Sequence, residues 1–249
     1  MRNQGKLTLV GAGPGDPDLI TIKGAKAIAS ADVILYDALV NKELLQYAVK
    51  SCEKIHVGKR AGKHSSTQDE INQLIVEHAL QGKHVVRLKG GDPFIFARGK
   101  EELDFAESFG IKTDVVIGIS SINLPGYYGI PLTTRGVNES FWVVTATTRN
   151  GELSKDAHLA AQSSATVVFF MGLRKLKEIV ALYSAFGKEH LPVAIISQGS
   201  LPEGHVVEGT IETIVSKSEN IPAPALIVVG ESVGEYLNTY QPVHIQNRA

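Results

Sequence analysis

The amino-acid sequence predicts a protein of the α/β class that is built from two domains. Short apolar runs rich in Val, Ile and Leu alternate with amphipathic segments of helical period along most of the chain. Of the 249 residues, 43% are hydrophobic and 20% are charged, which is the composition of a globular protein with a sizeable core. A passage rich in Gly, Pro, Tyr and Thr at residues 122–140 separates two strand–helix series. We therefore expect domains at residues 1–118 and 119–249.

The amino-terminal series contains five predicted strands and the helices between them. Apolar runs predict strands at residues 7–10, 33–36, 54–60 and 114–121, and a further strand opens the segment HVVRLKGGD at residue 84. Apolar stripes predict helices at residues 21–31, 41–48 and 101–109, and another helix that starts after Thr67 and ends near Gly82. Thr67 and Glu70 fit a capping box at the start of that helix, because they occupy its N-cap and N3 positions.

The carboxy-terminal series has a different order of strands and helices. Strands are predicted at residues 141–147, 165–172, 192–197, 206–210 and 224–230, and helices at residues 156–162, 174–186 and 211–217. Little helix separates the strands between residues 192 and 210, so antiparallel neighbours are expected there. The fold that we predict is two α/β domains with mixed β-sheets.

The first predicted strand runs into a glycine-rich loop, GAGPGD, at residues 11–16. With Asp37 at the end of the second strand, this arrangement resembles the start of a dinucleotide-binding fold. However, the spacing is G-x-G-x-G-D instead of G-x-G-x-x-G, Pro14 removes a backbone donor, and Asp16 would repel a pyrophosphate. A nicotinamide-dependent oxidoreductase stays open as an alternative. The other interpretation is that the loop lets a non-phosphate ligand pass close to the backbone.

The most informative segment is RLKGGDPFIFARG at residues 87–99. A buried strand end that opens into a glycine-rich turn lets a ligand approach the backbone. Asp92 can accept hydrogen bonds from ligand hydroxyls, Phe94, Ile95 and Phe96 can supply an apolar wall, and basic residues surround the turn. A tight structural turn with a solvated basic rim is the alternative interpretation. Asp37 likewise lies where strand ends present ligand-facing side chains, or it simply caps the following segment.

Charge and composition exclude several classes of partner. A net charge of -1 argues against general binding to nucleic acids or membrane surfaces. The single cysteine, Cys52, excludes an internal disulfide framework, and no Cys/His cluster has metal-ligand spacing, so we expect no metal. The amino terminus lacks a signal-peptide core and no apolar run reaches the roughly 20 residues of a membrane span, which predicts a cytoplasmic protein. Residues 56–100 hold eight Lys or Arg against four acids, which favours a discrete anionic ligand.

Six segments occur in an order that resembles a known family. They are VGAGPGDPDLIT, ADVILYDALV, VGKRAGKH, RLKGGDPFIFARG, GIPLTTR and FFMGL. Together they resemble the uroporphyrinogen-III C-methyltransferases, a branch of the tetrapyrrole methylases, across almost the whole chain. GAGPGD is shared by the wider class, whereas RLKGGDPFIF is narrower and points to the uroporphyrinogen branch.

The resemblance implies a fold, a reaction and a cofactor. The fold would be that of the tetrapyrrole methylases (class III methyltransferases), a homodimer with the cofactor in the cleft between the two domains. The reaction would transfer two methyl groups from S-adenosyl-L-methionine to uroporphyrinogen III, through a monomethylated intermediate, to give precorrin-2 for sirohaem or cobalamin. S-adenosyl-L-homocysteine would be the by-product.

The resemblance also implies functional residues. The matching cofactor positions are Pro14, Gly90, Gly91, Asp92, Ile95, Ser120, Ser121, Met171 and Gly199. Asp37 and Lys59 match positions with acid–base roles in the family. The substrate carries eight carboxylates, and cations that would bind them are Arg60, Lys63, Arg98 and Arg135, since the forked guanidinium of arginine engages both carboxylate oxygens.

The chain departs from the family pattern at several positions. Ala97 and Lys100 stand where relatives usually have glycine, and Thr134 and Thr147 stand where they usually have histidine. The passage LPGYYG, at residues 124–129, replaces a small-residue pattern. These differences fall on no matched cofactor position. They leave open how the substrate is bound and how many methyl groups are transferred to it. A methylase acting on a later precorrin and a non-catalytic tetrapyrrole carrier are the remaining alternatives.

Overall fold

The computed structural model describes residues 5–58 and 66–234, which form two compact α/β units that part between Ser121 and Ile122. The amino-terminal unit contains β1 (Lys6–Gly11), α1 (Ile22–Ala29), β2 (Val33–Tyr36), β3 (Glu53–His56), α2 (Gln68–Leu80), β4 (His84–Lys89), α3 (Gly99–Ser108) and β5 (Lys112–Val116). The carboxy-terminal unit contains α4 (Leu124–Tyr127), β6 (Phe141–Thr145), α5 (Lys155–Gln162), β7 (Thr166–Phe170), α6 (Leu176–Ser184), β8 (Pro192–Ser197), β9 (His205–Thr210), α7 (Ile214–Lys217) and β10 (Ala225–Val229). None of the helices in these ranges has the length and apolar character needed to cross a membrane.

The amino-terminal sheet has the strand order β3-β2-β4-β1-β5, and all of its pairings are parallel. The prediction of a mixed sheet is therefore wrong for this unit. The physical reason is that helices connect β1 to β2, β3 to β4 and β4 to β5, and such crossovers return the chain in the same direction. The parallel arrangement places the carboxyl ends of all five strands at one edge of the sheet, which is the usual ligand-binding edge in open α/β folds.

Both faces of this sheet are buried, which explains the nearly continuous apolar runs of its strands. Alternate residues enter two cores: Leu7 and Leu9 pack with α2 and α3 on one face, and Ile34 and Leu88 pack with α1 on the other. The start of α2 has the predicted capping box, in which the Thr67 hydroxyl accepts from the Glu70 amide and Glu70 accepts from the Thr67 amide.

The carboxy-terminal sheet has the order β6-β7-β10-β8-β9 and is mixed, as predicted. The β6–β7 pair is parallel, whereas β10 is antiparallel to both β7 and β8, and β8 is antiparallel to β9. Helices α5, α6 and α7 cover one face, and α4 contributes Leu124 to the core on the other. The edge strand β6 exposes Phe141 and Trp142.

Several element boundaries differ from the predicted ones for local reasons. The helix predicted at residues 41–48 is a 3-10 helix over Lys42–Tyr47, and the one predicted at 174–186 opens with a 3-10 turn before α6. The strand predicted at residues 114–121 ends at Val116, because the Gly118 amide donates to the Asp92 carboxylate and leaves the ladder. Only the last turn of the helix predicted at 211–217 is α-helical.

His84, the first residue of β4, ties together three segments at the opposite edge of the parallel sheet. Its Nδ1 lies 2.9 Å from the Ser30 carbonyl oxygen and its Nε2 lies 2.9 Å from the Thr8 hydroxyl. In the neutral ring Nδ1–H donates to Ser30 and Nε2 accepts from Thr8. Burial lowers the pKa of His84, and the nearby Lys6 acts in the same direction, although the bond to Ser30 and the charges of Asp32 and Asp114 oppose the shift.

This arrangement predicts a measurable loss of stability in acid. Because the pKa of His84 is lower in the folded chain than its ordinary value of 6.5, the unfolded chain takes up the proton first. The stabilisation that neutral His84 contributes to the folded chain is fully present above pH 6.5. It falls as the pH drops through and below that value. His84→Gln should therefore reduce the difference between the free energies of unfolding at pH 8 and pH 5.5, measured in urea. Equal differences for the variant and the wild type would contradict this role.

Candidate active site

Three loops meet at the carboxyl edge of the amino-terminal sheet, where the neighbouring strands β4, β1 and β5 end. Gly13 and Gly91 exchange two backbone hydrogen bonds, with N···O distances of 3.3 and 2.8 Å, and the Ala12 amide donates to the Lys89 carbonyl oxygen. The loop after β1 and the loop after β4 are therefore joined as a short antiparallel bridge beyond the parallel ladder. This bridge gives the edge a fixed backbone platform.

Glycine is required where these loops approach the loop after β5. A Cβ atom at Gly118 would lie 2.3 Å from the Gly91 carbonyl oxygen, and one at Gly11 would lie 2.5 Å from the Gly118 backbone. Contacts this short to backbone atoms exclude any side chain without displacement of a loop. The three loops consequently pack backbone against backbone.

Asp92 locks two of these loops together. Its Oδ1 accepts from the Phe94 amide at 2.8 Å and its Oδ2 accepts from the Gly118 amide at 3.1 Å. The residue is nearly buried. We expect its carboxylate to meet ligand hydroxyls, and in the structure each oxygen holds one backbone amide and retains a second acceptor site. Asp92 therefore shapes the turn that leads to Ile95, whose amide donates to the Asp92 carbonyl oxygen.

The hydrogen bonds of the GAGPGD loop argue against a pyrophosphate site. A dinucleotide-binding loop offers free backbone amides to phosphate oxygens. Here the Ala12 amide donates to the last residue of β4, the Gly13 amide donates to the loop after β4, and Pro14 has no amide hydrogen. The carboxylate of Asp16 accepts from the Asp18 amide and caps a 3-10 turn. The geometry thus removes the basis of the nicotinamide alternative.

Asp37 lies directly after β2, next to the end of β4. Its Oδ1 accepts from the Leu39 amide at 3.0 Å, and its Oδ2 accepts from the Gly90 amide at 3.3 Å. A guanidinium nitrogen of Arg87 lies 3.9 Å from Oδ2. The side chain is 25% exposed, so it is held by its own unit and still reaches the surface of the edge. The capping interpretation and the ligand-facing interpretation are therefore compatible.

The remaining predicted cofactor positions of this unit border the same platform. A Cβ placed on Gly91, which has a φ of +67°, would lie 3.9 Å from both the amide nitrogen and the hydroxyl oxygen of Ser121. Ser120 is buried and Ile95 is half-buried. A side chain at Gly91 would therefore contact Ser121, and the bare backbone at this position leaves that volume open to a ligand.

The basic residues of RLKGGDPFIFARG divide into two groups. Arg98 is exposed and donates to both oxygens of Glu101, at 2.9 and 2.5 Å, while Lys100 pairs with Asp104 on the outer side of α3. Arg87 and Lys89 are only 4% exposed and pair with Glu102, so they are not part of a solvated rim. The sequence contained a signal for this burial. The two cations are two residues apart, so they lie on the same face of a strand that helices cover.

In the carboxy-terminal unit, Met171 and Gly199 follow the parallel-running strands β7 and β8. Met171 is 55% exposed, and its carbonyl oxygen accepts from the Thr147 hydroxyl at 3.0 Å. A Cβ on Gly199 would lie 2.8 Å from Leu124, so this glycine is held tightly against α4. Arg135 is exposed in a turn closed by the hydrogen bond from the Val137 amide to the Thr134 carbonyl oxygen.

Backbone strain marks the same segments in both units. Among the non-glycine residues described, those with positive φ are Phe96, Arg98, Met171, Gln198, Ser200 and Asn220. All but Asn220 lie in the segments that contain Ile95, Met171 and Gly199. Left-handed backbone is costly for side-chain-bearing residues and concentrates at functional sites. Composition could not reveal it, because none of these residues is a glycine.

Three predicted site residues cannot be placed. Lys59, Arg60 and Lys63 lie outside the described residues, so their roles stay predictions. Within the described ranges, no group of three or more His, Cys, Asp or Glu is arranged to hold a metal ion.

Comparison with known proteins identifies the family. The family model described as Tetrapyrrole (Corrin/Porphyrin) Methylases matches residues 6–215. The chain belongs to this family. It is 49% identical over 234 residues to a uroporphyrinogen-III C-methyltransferase of Methanocaldococcus jannaschii, and the match covers 92% of this chain and 97% of the relative. It is 46% identical over 236 residues to a siroheme synthase of Actinobacillus pleuropneumoniae, of which it covers 48%. The chain thus spans about half the length of the siroheme synthases that it matches.

Solved structures of tetrapyrrole methylases have the same fold. A Thermus thermophilus uroporphyrin-III C-methyl transferase complexed with S-adenyl homocysteine aligns with a TM-score of 0.80 at 35% identity, covering 92% of this chain and 99% of that one. A cobalt precorrin-4 methyltransferase aligns with a TM-score of 0.81 at 26% identity, over 92% of this chain and 95% of the other. The chain is therefore a methyltransferase with the tetrapyrrole methylase fold, and S-adenosyl-L-methionine is its methyl donor.

The glycine platform generates a prediction. In Gly118→Ala the new methyl group would meet the Gly91 carbonyl oxygen, so the loops after β4 and β5 must separate. We expect a loss of about 1–3 kcal/mol in the free energy of unfolding and weaker binding of S-adenosyl-L-homocysteine by calorimetry. Gly126→Ala is the matched control, because a Cβ there meets no atom within 4 Å. Unchanged binding in Gly118→Ala would refute the platform.

Proposed function

We propose that the chain methylates carbon atoms of uroporphyrinogen III, in two successive transfers that give precorrin-2. The observation that carries the proposal is the 49% identity to the Methanocaldococcus jannaschii uroporphyrinogen-III C-methyltransferase across 97% of that protein. The identity to the cobalt precorrin-4 methyltransferase is 26% at a similar TM-score, so the sequence favours uroporphyrinogen III over a later precorrin. Precorrin-2 would then supply sirohaem or cobalamin synthesis.

The residues that hold the methyl donor are part of this proposal. In the amino-terminal unit they are Pro14, Gly90, Gly91, Asp92, Ile95, Ser120 and Ser121, and in the carboxy-terminal unit they are Met171 and Gly199. Support comes from their placement at the carboxyl ends of strands, from the bare backbone at Gly91, and from the left-handed backbone at Met171. In this assignment Asp92 fixes the loop through both of its carboxylate oxygens.

In the proposed chemistry, side chains of this protein stabilise developing charge and transfer protons. When bound, S-adenosyl-L-methionine supplies a methyl group on a positively charged sulfur, so the chain need not generate an electrophile. Methylation leaves positive charge on the macrocycle, and a proton must later leave a bridging carbon. We assign to Asp37 the stabilisation of that charge or the acceptance of that proton, and the support for this role is that its carboxylate is fixed and partly exposed. Lys59 would act as an acid or bind a substrate carboxylate.

The substrate's carboxylates need cations at the surface of the site. We assign this role to Arg60, Lys63, Arg98 and Arg135. Arg98 carries an exposed guanidinium that is oriented by its hydrogen bonds to both oxygens of Glu101. Arginine suits carboxylates because its two parallel N–H groups match the two oxygens. The homodimer and the cytoplasmic location belong to the same proposal.

The proposed reaction is tested directly. The protein should be incubated anaerobically with uroporphyrinogen III and S-adenosyl-L-methionine, and the products analysed by mass spectrometry. We expect a tetrapyrrole that has gained two methyl groups, with a species carrying one methyl group at early times. A gain of only one methyl group would restrict the activity to the first transfer. Absence of any methylated uroporphyrinogen, with methylation of a later precorrin instead, would reassign the substrate.

The role of Asp37 yields a second test. Asp37→Asn retains the size of the side chain and one acceptor for the backbone amides, but it removes the charge. The rate of methylation at saturation should fall by roughly 10²–10⁴-fold, which is a far larger effect than any change in the affinity for S-adenosyl-L-homocysteine measured by calorimetry. Wild-type rates in the variant would exclude an acid–base or charge-stabilising role for this residue.

A further inference from the structure

A cluster of charged side chains is buried between β4 and the helices α2 and α3. Glu102, on α3, has no exposed side-chain surface, and its Oε1 accepts from Lys89 Nζ at 2.7 Å, Gln68 Nε2 at 3.2 Å and Arg87 Nε at 3.3 Å. Buried charges are costly unless they are paired, so each of these groups depends on the others. Burial and the adjacent Arg87 lower the pKa of Lys89, whereas Glu102 acts to raise it.

Arg87 connects this buried cluster to the edge of the sheet. Its Nε contacts Glu102, one terminal nitrogen donates to the carbonyl oxygens of Leu35 and Leu88 at 3.3 and 2.9 Å, and the other lies 3.9 Å from Asp37 Oδ2. The guanidinium is therefore held on several sides. Its orientation is set by contacts with α3 and β2, which belong to the same unit.

The charges of this arrangement balance only when Asp37 is included. Two cations, Arg87 and Lys89, face one buried carboxylate, that of Glu102, and the second carboxylate is Asp37. Asp37 also accepts the amide of Gly90, the first residue of the glycine turn. The cluster thus ends on a side chain that the proposed function uses and on the backbone of a proposed cofactor loop.

We propose that Arg87 is a positioning residue that orients the Asp37 carboxylate and, through it, the Gly90 turn, and that Glu102 holds Arg87 in place. This inference rests on the proposed function in so far as Asp37 takes part in methylation. It assigns a task to two buried charged groups, Arg87 and Glu102. It also explains why α3, which follows the glycine-rich motif, carries a carboxylate into the interior.

The test combines kinetics with a readout that needs no substrate. Arg87→Lys retains the positive charge but loses the fork that spans Glu102 and Asp37, so kcat should fall by roughly 10-fold, with KM for uroporphyrinogen III unchanged. The loss should be larger in Arg87→Gln and partly restored by the charge in Arg87→Lys. In the Asp37→Asn background, Arg87→Lys should cause no further loss beyond about 2-fold, because both changes act on one carboxylate.

The substrate-free readout is the amide resonances of Gly90 and Leu39, which both donate to Asp37. In ¹H–¹⁵N spectra of the full chain, Arg87→Lys and Glu102→Gln should shift these two resonances. Asp104→Asn is the matched control, since it makes the same kind of carboxylate-to-amide change on the outer face of the same helix. That control should leave the rate of methylation and both resonances at their wild-type values.

The outcomes separate this inference from the proposed function. Unshifted Gly90 and Leu39 resonances in Arg87→Lys, or an equal fall in kcat with and without Asp37→Asn, would overturn the positioning role even in an active methylase. Failure of the wild-type protein to methylate uroporphyrinogen III would instead refute the proposed function, and the resonances would still decide whether Arg87 positions Asp37.

Discussion

Close backbone packing at the carboxyl edge of the parallel sheet is the constraint on which the amino-terminal unit depends. Gly13 and Gly91 bond to each other, and Gly118 lies so close to Gly91 that no side chain fits. The Asp92 carboxylate ties the same loops together through two amides. Because these contacts lie within the unit itself, they hold the loops in one arrangement and reduce the ordering cost that a ligand would otherwise meet.

Buried ion pairs beneath this edge and left-handed backbone in its loops also restrict its motion. Arg87 and Glu102 link the end of β4 to α3 inside the unit, while Phe96 and Arg98 adopt left-handed conformations that the surrounding hydrogen bonds must maintain. Sites that bind or align reactants gain from such supporting contacts, because small displacements of reacting groups are costly. The carboxy-terminal unit has a similar supporting contact, in which the Thr147 hydroxyl donates to the carbonyl oxygen of the left-handed residue Met171.

The sequence was sufficient for the elements and for the family, but not for the roles of individual polar groups. Strand periodicity predicted β8 with the observed bounds, and the capping box predicted the start of α2. Charged residues next to glycines predicted a basic rim, yet Arg87 and Lys89 point inward, because a tertiary partner on α3 decides their burial. Parallel pairing of the first sheet depended on crossovers, and left-handed backbone at Met171 left no compositional trace.

The presence of separate cores in the two units affects how unfolding can be followed. Trp142, the one tryptophan of the sequence, lies on the edge strand of the carboxy-terminal sheet. Its fluorescence reports directly on that unit, whereas far-ultraviolet circular dichroism records the helices of both. A fluorescence transition alone therefore describes one half of the molecule. A single free energy of unfolding is defined only where the two optical signals change together.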